Sequence, residues 1–236
     1  AAGAGRGHDD MAAVVVSTGV GGGLILGGAL YYGASGNAGH LGHAPVVVGG
    51  ERCACGAAGC PEVYASGPNL VAWARRNGWD APSPRPATAD LAGRARANGR
   101  SLPWKHHPDA DAPTPGDPLP RRPDAAAPAA AARAGDPVAV AAFGRGGRAL
   151  GAMLAAAAAS CDVTAIVVGG GVARAGDTLL DAVRSSFAEH AVLPFAASCQ
   201  ILPAALDADA CLVGAAALIH RPDRYASARF HTGVPS

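Results

Sequence analysis

The residues best suited to chemistry are three cysteines and a histidine that lie close together in the first third of the chain. Their spacing is His43-x9-Cys53-x-Cys55-x4-Cys60. Thiolates and a neutral imidazole are ligands that Zn²⁺ prefers, and four of them complete a tetrahedron with no position left for water. The pattern predicts a structural zinc site that shapes its loop. The alternative is three free thiols in a loop.

The other cysteines and a histidine pair do not suggest a second metal site. Cys161, Cys199 and Cys211 lie in apolar surroundings, where free cysteine usually serves as a buried packing residue. His106 and His107 have no further ligand at suitable spacing, and structural zinc needs four ligands. Thiols clustered beside a histidine suggest a reducing compartment, so we expect a cytoplasmic protein.

Composition and charge narrow the classes of protein. Half of the 236 residues are hydrophobic, which is enough for a sizeable core. The net charge of +1 gives no electrostatic reason to expect nucleic acid or an anionic membrane as a partner. The longest apolar stretch, 150–160, is far shorter than the roughly 20 residues of a membrane-spanning helix. The first ten residues have no signal-peptide character.

The hydrophobic pattern alternates between strands and helices, which is typical of an α/β layer architecture. We predict strands at 11–17 and 24–30, joined by a glycine turn at 18–23, then a buried strand at 165–168 and an extended piece at 200–203. Helices are predicted at about 62–77, 137–143, 148–160, 177–189 and 207–220. Asp136 followed by Pro137 indicates a helix start, with aspartate as the N-cap.

A proline-rich stretch divides this pattern. We assign 1–96 to the first part of one lobe, 97–128 to a disordered surface insertion, 129–222 to the second part of the same lobe, and 223–236 to a tail. Repeated prolines in the insertion remove backbone donors and oppose regular helix or central strand.

Several motifs together resemble one family. The segments are STGVGGGLILGGALYYGASGNAGHLGH, CACGAAGCPEVYASG, ARAGDPVAVAAF, AIVVGGGVARAGDTLL and ALDADACLVGAAAL. They resemble the ROK family of repressors, open reading frames and sugar kinases, over most of the chain except the insertion and the tail. The resemblance implies the C-terminal lobe of an actin-like ATPase (ribonuclease H-like) fold with a zinc-bound loop. The cysteine and histidine spacing agrees with the family residue by residue.

The resemblance also implies contacts with ATP and Mg²⁺. Thr18, Gly19, Gly21 and Gly22 would form the second phosphate loop, and Gly169, Gly170 and Gly171 would lie against the adenosine. Glycines allow backbone amides to approach phosphate oxygens, and a hydroxyl adds a donor. From the residues alone, both stretches are equally consistent with simple tight turns.

A sugar site is implied by the family motif Gly-Glu-x-Gly-His and a glutamate after the third cysteine. His43 and Glu62 match that pattern, so His43 would bind zinc with one nitrogen and face a sugar hydroxyl with the other. His40 stands where the family has the first glutamate. A neutral imidazole offers one acceptor and one donor, so the expectation is either altered sugar specificity or damaged sugar binding.

Two family elements are absent from these residues: the first phosphate loop and the catalytic aspartate. By the resemblance, that general base would lie roughly ten residues before Ala1. We therefore expect an ATP-dependent kinase for a hexose or an N-acetylhexosamine, with this stretch inactive alone because phosphoryl transfer needs groups on both sides of the phosphate. The alternatives are a sugar-sensing regulator with an upstream DNA-binding domain, or a non-catalytic remnant. Family members often form dimers, so a homodimer is expected from the resemblance alone.

Overall fold

The computed structural model of the chain describes residues 3–80, 125–206, 209–221 and 225. Five strands in these ranges form one sheet in the order β3-β2-β1-β4-β5. The strands are β1 (Met11–Val16), β2 (Val20–Leu26), β3 (Ala29–Tyr31), β4 (Ala165–Gly169) and β5 (Gln200–Pro203). The α-helices are α1 (Glu62–Ala65), α2 (Gly67–Arg76), α3 (Ala126–Arg133), α4 (Pro137–Cys161), α5 (Asp177–His190), α6 (Pro194–Ala197) and α7 (Ala210–His220).

Strand β1 is the centre of the sheet. It pairs antiparallel with β2, from Met11 opposite Ile25 to Val16 opposite Val20. On its other side it pairs parallel with β4, up to Val15 opposite Gly169. Because parallel strands end at the same edge of a sheet, the carboxyl ends of β1 and β4 are neighbours. In open α/β sheets this edge is where ligands usually bind.

The core is built from the sheet and the helices packed near it. The largest fully buried side chains of the described residues belong to β1, β4, α2, α4 and α5, and to the prolines before α1 and within α3. They are Val14, Val16, Pro61, Leu70, Pro128, Phe143, Leu150, Met153, Leu154, Ile166, Leu179 and Val183. Cys199 is also buried, as predicted, and burial raises the pKa of its thiol to about 11. Cys161 is only partly buried, and nothing is described of the side chain of Cys211.

Helix α4 corrects the prediction of two helices separated at 144–147. Its start is as predicted, because the carboxylate of Asp136 accepts a hydrogen bond from Ala139 N–H at 2.8 Å. It then continues without interruption for 25 residues. Gly147, within the predicted break, and Gly151 allow helix α5 to approach closely. A Cβ on Gly151 would lie 2.5 Å from the carbonyl oxygen of Val183.

Two other predicted boundaries were wrong. The predicted helix at 62–77 is two helices, α1 and α2, which meet at an extended Ser66. Pro68 has no N–H to continue the helical ladder, and Gly67 N–H donates instead to Ser17 O at 2.7 Å. The second predicted strand, 24–30, is in fact β2 and β3, and β2 begins at Val20.

The structure also corrects the predicted end of the insertion, and part of the helix predicted at 207–220 lies outside the described residues. Helix α3 begins at Ala126, inside the range assigned to the insertion, and was not predicted. Residues 97–124, including the histidine pair, lie outside the described residues. Helix α7 begins at Ala210, and the predicted start at 207 also falls outside them, as does most of the tail. No helix within the described ranges is both long enough and apolar enough to cross a bilayer.

The close approach of α4 and α5 can be tested by a substitution that adds one methyl group between them. Gly151→Ala should lower the free energy of unfolding by about 1–3 kcal/mol, because the new Cβ overlaps backbone atoms of α5. Gly214→Ala is the matched control, since a Cβ there meets open space in helix α7 and should not destabilise. Urea denaturation of both variants makes the measurement. Equal stability of Gly151→Ala and the unchanged chain would contradict this packing.

Candidate functional site

Two of the predicted binding stretches meet at the carboxyl ends of β1 and β4. The turn from β1 to β2 is closed by a hydrogen bond from Ser17 N–H to Gly19 O at 2.8 Å. The turn after β4 is held by a hydrogen bond from Val172 N–H to Val16 O at 2.9 Å. Gly170 has φ +99°, and a Cβ there would overlap the carbonyl of Val16. Only glycine therefore fits where the second turn crosses the first.

The predicted phosphate loop is shorter than expected. Thr18 and Gly19 lie in the turn, and Thr18 is exposed. Gly21 and Gly22 lie in strand β2, opposite Val15 and Val14. The prediction of one turn over 18–23 was wrong because pairing with β1 extends through these glycines. The missing side chain of Gly22 allows a loop to cross the strand, since a Cβ there would lie 3.2 Å from Gly39 O.

A cavity of about 190 Å³ opens beside the second turn. It is lined by Ala126, Ala129, Arg133, Gly171, Arg174 and Ala175. A Cβ on Gly171 would lie 3.5 Å from Ser17 Oγ, so the cavity is next to the β1–β2 turn. Arg133 was not named from the sequence, because helix α3, which it ends, was not predicted. Ser17 was not named because that residue was assigned to the end of a strand.

The histidine motif at 39–43 crosses strand β2. Gly42 lies so close to Val20 that a Cβ there would overlap the strand backbone. This contact places His43, at the end of a short 3-10 turn, beside the β1–β2 turn. Glu62, the first residue of α1, also lies beside this turn. Its Oε2 accepts a hydrogen bond from Val20 N–H at 3.1 Å.

The His43 ring faces two groups. Its Nδ1 lies 3.6 Å from Cys53 Sγ, and its Nε2 lies 3.7 Å from Glu62 Oε2. The side chains of His43 and Glu62 are 33% and 24% exposed, so a ligand can reach both. The structure thus brings together His43 and Glu62, as the sequence predicted.

The four predicted metal ligands form one cluster. The ligand atoms of His43, Cys53, Cys55 and Cys60 all lie within 4.8 Å of one another, so the group can hold a metal ion. A backbone hydrogen bond from Ala57 lowers the pKa of Cys55 to about 7. Burial raises the pKa of the Cys60 thiol to about 12, so that thiol stays neutral unless a metal displaces its proton.

His40 is exposed and oriented by its own loop. Its Nδ1 lies 2.9 Å from Asn37 O, and a carbonyl oxygen only accepts, so Nδ1 carries the proton. The other nitrogen, Nε2, is then an acceptor when the ring is neutral. The orienting role of Asn37 was not predicted, because a contact with a backbone carbonyl leaves no signal in residue type.

A clamp that the sequence analysis missed holds the cysteine loop to the helices. The N–H of Glu51 donates to Tyr64 Oη at 2.8 Å, and the carboxylate of Glu51 pairs with Arg145 on α4. The Arg145 guanidinium lies 4.2 Å from the ring centre of Tyr64 and 5.6 Å from that of Trp73. Burial lowers the pKa of Arg145, and the carboxylate of Glu51 opposes that effect. Arg145 was missed because it falls in the predicted break of α4.

Known proteins resemble this chain over most of its length. The sequence model of the ROK family matches residues 1–222. A glucokinase from Streptomyces coelicolor is 35% identical over 225 residues, which are 94% of this chain and 62% of that glucokinase. An N-acetylmannosamine kinase from Vibrio cholerae is 55% identical over 58 residues, 25% of this chain and 20% of that kinase.

A solved structure extends the resemblance to the fold. The crystal structure of a ROK family glucokinase from Streptomyces griseus, in complex with glucose and AMPPNP, superposes with a TM-score of 0.66 at 35% identity. The match covers 91% of this chain and 62% of that chain, so this chain spans less than two thirds of the length of these glucokinases. The predicted actin-like ATPase fold is confirmed.

The clamp predicts an energetic coupling between Glu51 and Arg145. In a double-mutant cycle with Glu51→Gln and Arg145→Gln, the coupling in the free energy of unfolding should be about 1 kcal/mol, because the arginine side chain is only 13% exposed. The matched control pairs Glu51→Gln with Arg76→Gln. That ion pair is 4.0 Å long with both side chains about half exposed, and its coupling should be near zero. Additive effects of Glu51→Gln and Arg145→Gln would contradict the clamp.

Proposed function

The chain belongs to the ROK family, and from that premise we propose that it supplies one side of the cleft of an ATP-dependent sugar kinase. The reaction would be phosphoryl transfer from ATP to a sugar hydroxyl. The observation that carries the proposal is the meeting of the β1–β2 turn, the glycine turn after β4 and the His43–Glu62 pair at one edge of the sheet. The similarity to glucokinases over 94% of the chain supports it.

ATP, with Mg²⁺, is proposed to lie along the two turns. The amides at Thr18 and Gly19 and the hydroxyl of Thr18 would approach phosphate oxygens, and Gly21 and Gly22 would keep the neighbouring strand free of side chains. The adenosine would lie against Gly169–Gly171, beside the 190 Å³ cavity. The nucleotide analogue in the Streptomyces griseus structure supports ATP as the substrate.

The sugar is proposed to contact Glu62, the Nε2 atom of His43 and the Nε2 atom of His40. A carboxylate accepts hydrogen bonds from sugar hydroxyls, and a neutral imidazole nitrogen adds one acceptor. A hexose is the first choice, because the relatives matched over most of the chain are glucokinases. The similarity of 58 residues to an N-acetylmannosamine kinase keeps N-acetylhexosamines as the second class.

Zn²⁺ is proposed to occupy the cluster of His43, Cys53, Cys55 and Cys60. In a zinc tetrahedron with bonds of about 2.3 Å to sulfur and 2.0 Å to nitrogen, sulfurs are about 3.8 Å apart and sulfur and nitrogen about 3.5 Å apart. The Cys55–Cys60 and Cys53–His43 separations are 3.7 and 3.6 Å, which fit these edges. Four protein ligands leave no open position, so the metal would hold the loop and the imidazole in place.

The proposal assigns no general base to Asp9 or Asp10. The carboxylate of Asp10 accepts a hydrogen bond from Gly27 N–H at 2.7 Å, at the amino end of β1. The proposed phosphate contacts lie at the other end of this six-residue strand, about 20 Å away. A base must reach the sugar hydroxyl directly or through one water, so these two residues are too far.

A sugar-sensing regulator of the same family would share the sugar contacts and differ in the rest of the polypeptide. The kinases among the relatives favour the kinase. The homodimer remains a prediction.

The zinc assignment predicts the metal content of the purified protein. The unchanged chain should contain one zinc per chain, and Cys53→Ser or Cys60→Ser should lose most of it, because three remaining ligands no longer close the tetrahedron. Cys161→Ser is the matched control, since Cys161 ends helix α4 and is not in the cluster. Elemental analysis gives the answer. Much less than one zinc in the unchanged chain would contradict the assignment.

The sugar site is tested by restoring the family glutamate. His40→Glu should raise the affinity for glucose about fivefold to tenfold, because a carboxylate forms charge-assisted hydrogen bonds where the neutral imidazole offers one acceptor. Ala34→Glu is the control, which adds the same charge to an exposed position of the same loop. Titration calorimetry with glucose, in the presence of Mg²⁺ and AMPPNP, makes the measurement. An absence of glucose binding to both His40→Glu and the unchanged chain would refute the proposed function.

A further inference from the structure

A cavity of about 450 Å³ lies between the loop at 46–48 and helices α4 and α5. Its lining includes Val48, Arg148, Ala152, Ser186, Glu189 and His190. None of these residues belongs to the proposed sugar, nucleotide or metal contacts. The volume is within the range of about 300–1,000 Å³ that is typical of small-molecule sites.

The packing of α4 against α5 brings the polar groups of this cavity together. Residues 145, 148, 149 and 152 follow the spacing of one helix face. Residues 186, 189 and 190 do the same on α5. The absence of a side chain on Gly151 lets Ser186 approach α4, where its hydroxyl donates to Arg148 O at 2.9 Å.

The cavity has a cationic end that internal contacts do not neutralise. Arg145 is committed to Glu51, but among the described residues the Arg148 guanidinium has no ion pair or side-chain hydrogen bond. It lies over Gly144, with Nη1 3.5 Å from where a Cβ would be. His190 donates from Nδ1 to Ser186 O at 2.8 Å, which leaves Nε2 of the neutral ring as a hydrogen-bond acceptor beside this end.

The other walls have different chemistry. The exposed carboxylate of Glu189 can accept hydrogen bonds from hydroxyl groups. The loop at 46–48 and two alanines of α4 provide an apolar wall, and Val48 on this wall is fully exposed. A ligand that is complementary to all three walls carries an anionic group for the arginine, several hydroxyls for the carboxylate and a face of C–H groups for the apolar wall.

We propose that this cavity binds a phosphorylated sugar, with its phosphate on Arg148, its hydroxyls on Glu189 and the Nε2 atom of His190, and its ring against the valine loop. Arginine recognises phosphate by charge-assisted hydrogen bonds, and a carboxylate and a neutral imidazole nitrogen accept hydrogen bonds from hydroxyl groups. The choice of a sugar phosphate rests on the proposed function, whose product has this chemistry. A ligand here would bind outside the cleft, so the site would be regulatory.

The experiment measures binding of glucose 6-phosphate, inorganic phosphate and glucose to the purified chain by titration calorimetry. Glucose 6-phosphate should bind more tightly than inorganic phosphate, and Arg148→Ala should weaken it at least tenfold. Arg184→Ala is the matched control on helix α5, because that guanidinium faces Asp177 and Asp181 and does not line the cavity. It should leave the affinity within twofold.

A second pair of variants separates this site from the cleft. Ala152→Glu places a carboxylate in the cavity and should abolish glucose 6-phosphate binding, with an unchanged thermal midpoint as evidence of folding. Glu62→Gln should leave that binding intact.

Three results would overturn the inference: no binding of glucose 6-phosphate, equal affinity for inorganic phosphate, or loss in Glu62→Gln with retention in Arg148→Ala. The last would place the ligand in the cleft and support the proposed kinase. If the unchanged chain binds glucose 6-phosphate in this way but does not bind glucose, the result counts against the proposed kinase and still supports this site.

Discussion

The imidazole of His43 has one nitrogen against the cysteine cluster and the other against Glu62. The first contact belongs to the proposed metal site and the second to a polar surface that a ligand can reach. Since the ring is rigid, a ligand bond at Nδ1 fixes the direction of Nε2. In metal sites the partner of the second ring nitrogen commonly sets the orientation of the ligand. The proposed metal site and the proposed sugar site would therefore share one rigid ring and move together.

Other contacts connect these two sites to the sheet and to the helices. Glu62 accepts from Val20 N–H, so the carboxylate that faces His43 also holds the start of β2. The Glu51–Arg145 clamp ties the cysteine loop to α4. The parallel pairing of β1 and β4 places the second glycine turn beside the first. The proposed phosphoryl transfer would depend largely on positioning, and these contacts come from elements that are distant in sequence.

Features set by local residue patterns were predictable from the sequence. The four residues of the cysteine and histidine cluster are close in the chain, the N-cap of Asp136 is a one-turn interaction, and β5 is a short apolar run. Features set by distant contacts were not. Helix α4 continues through its glycines because burial against α5 outweighs their poor helix propensity, and only the fold reveals that partner. The clamp through Arg145 was lost with the same error.

The most direct test of the account is the zinc-edge X-ray absorption spectrum of the metal-loaded chain. It reads the identity and distance of the atoms bound to the metal, and so reports whether the His43 ring is held as described. The account predicts three sulfur atoms at about 2.3 Å and one nitrogen at about 2.0–2.1 Å. A shell with only two sulfurs, or a spectrum that lacks the outer-shell scattering of an imidazole ring, would contradict it.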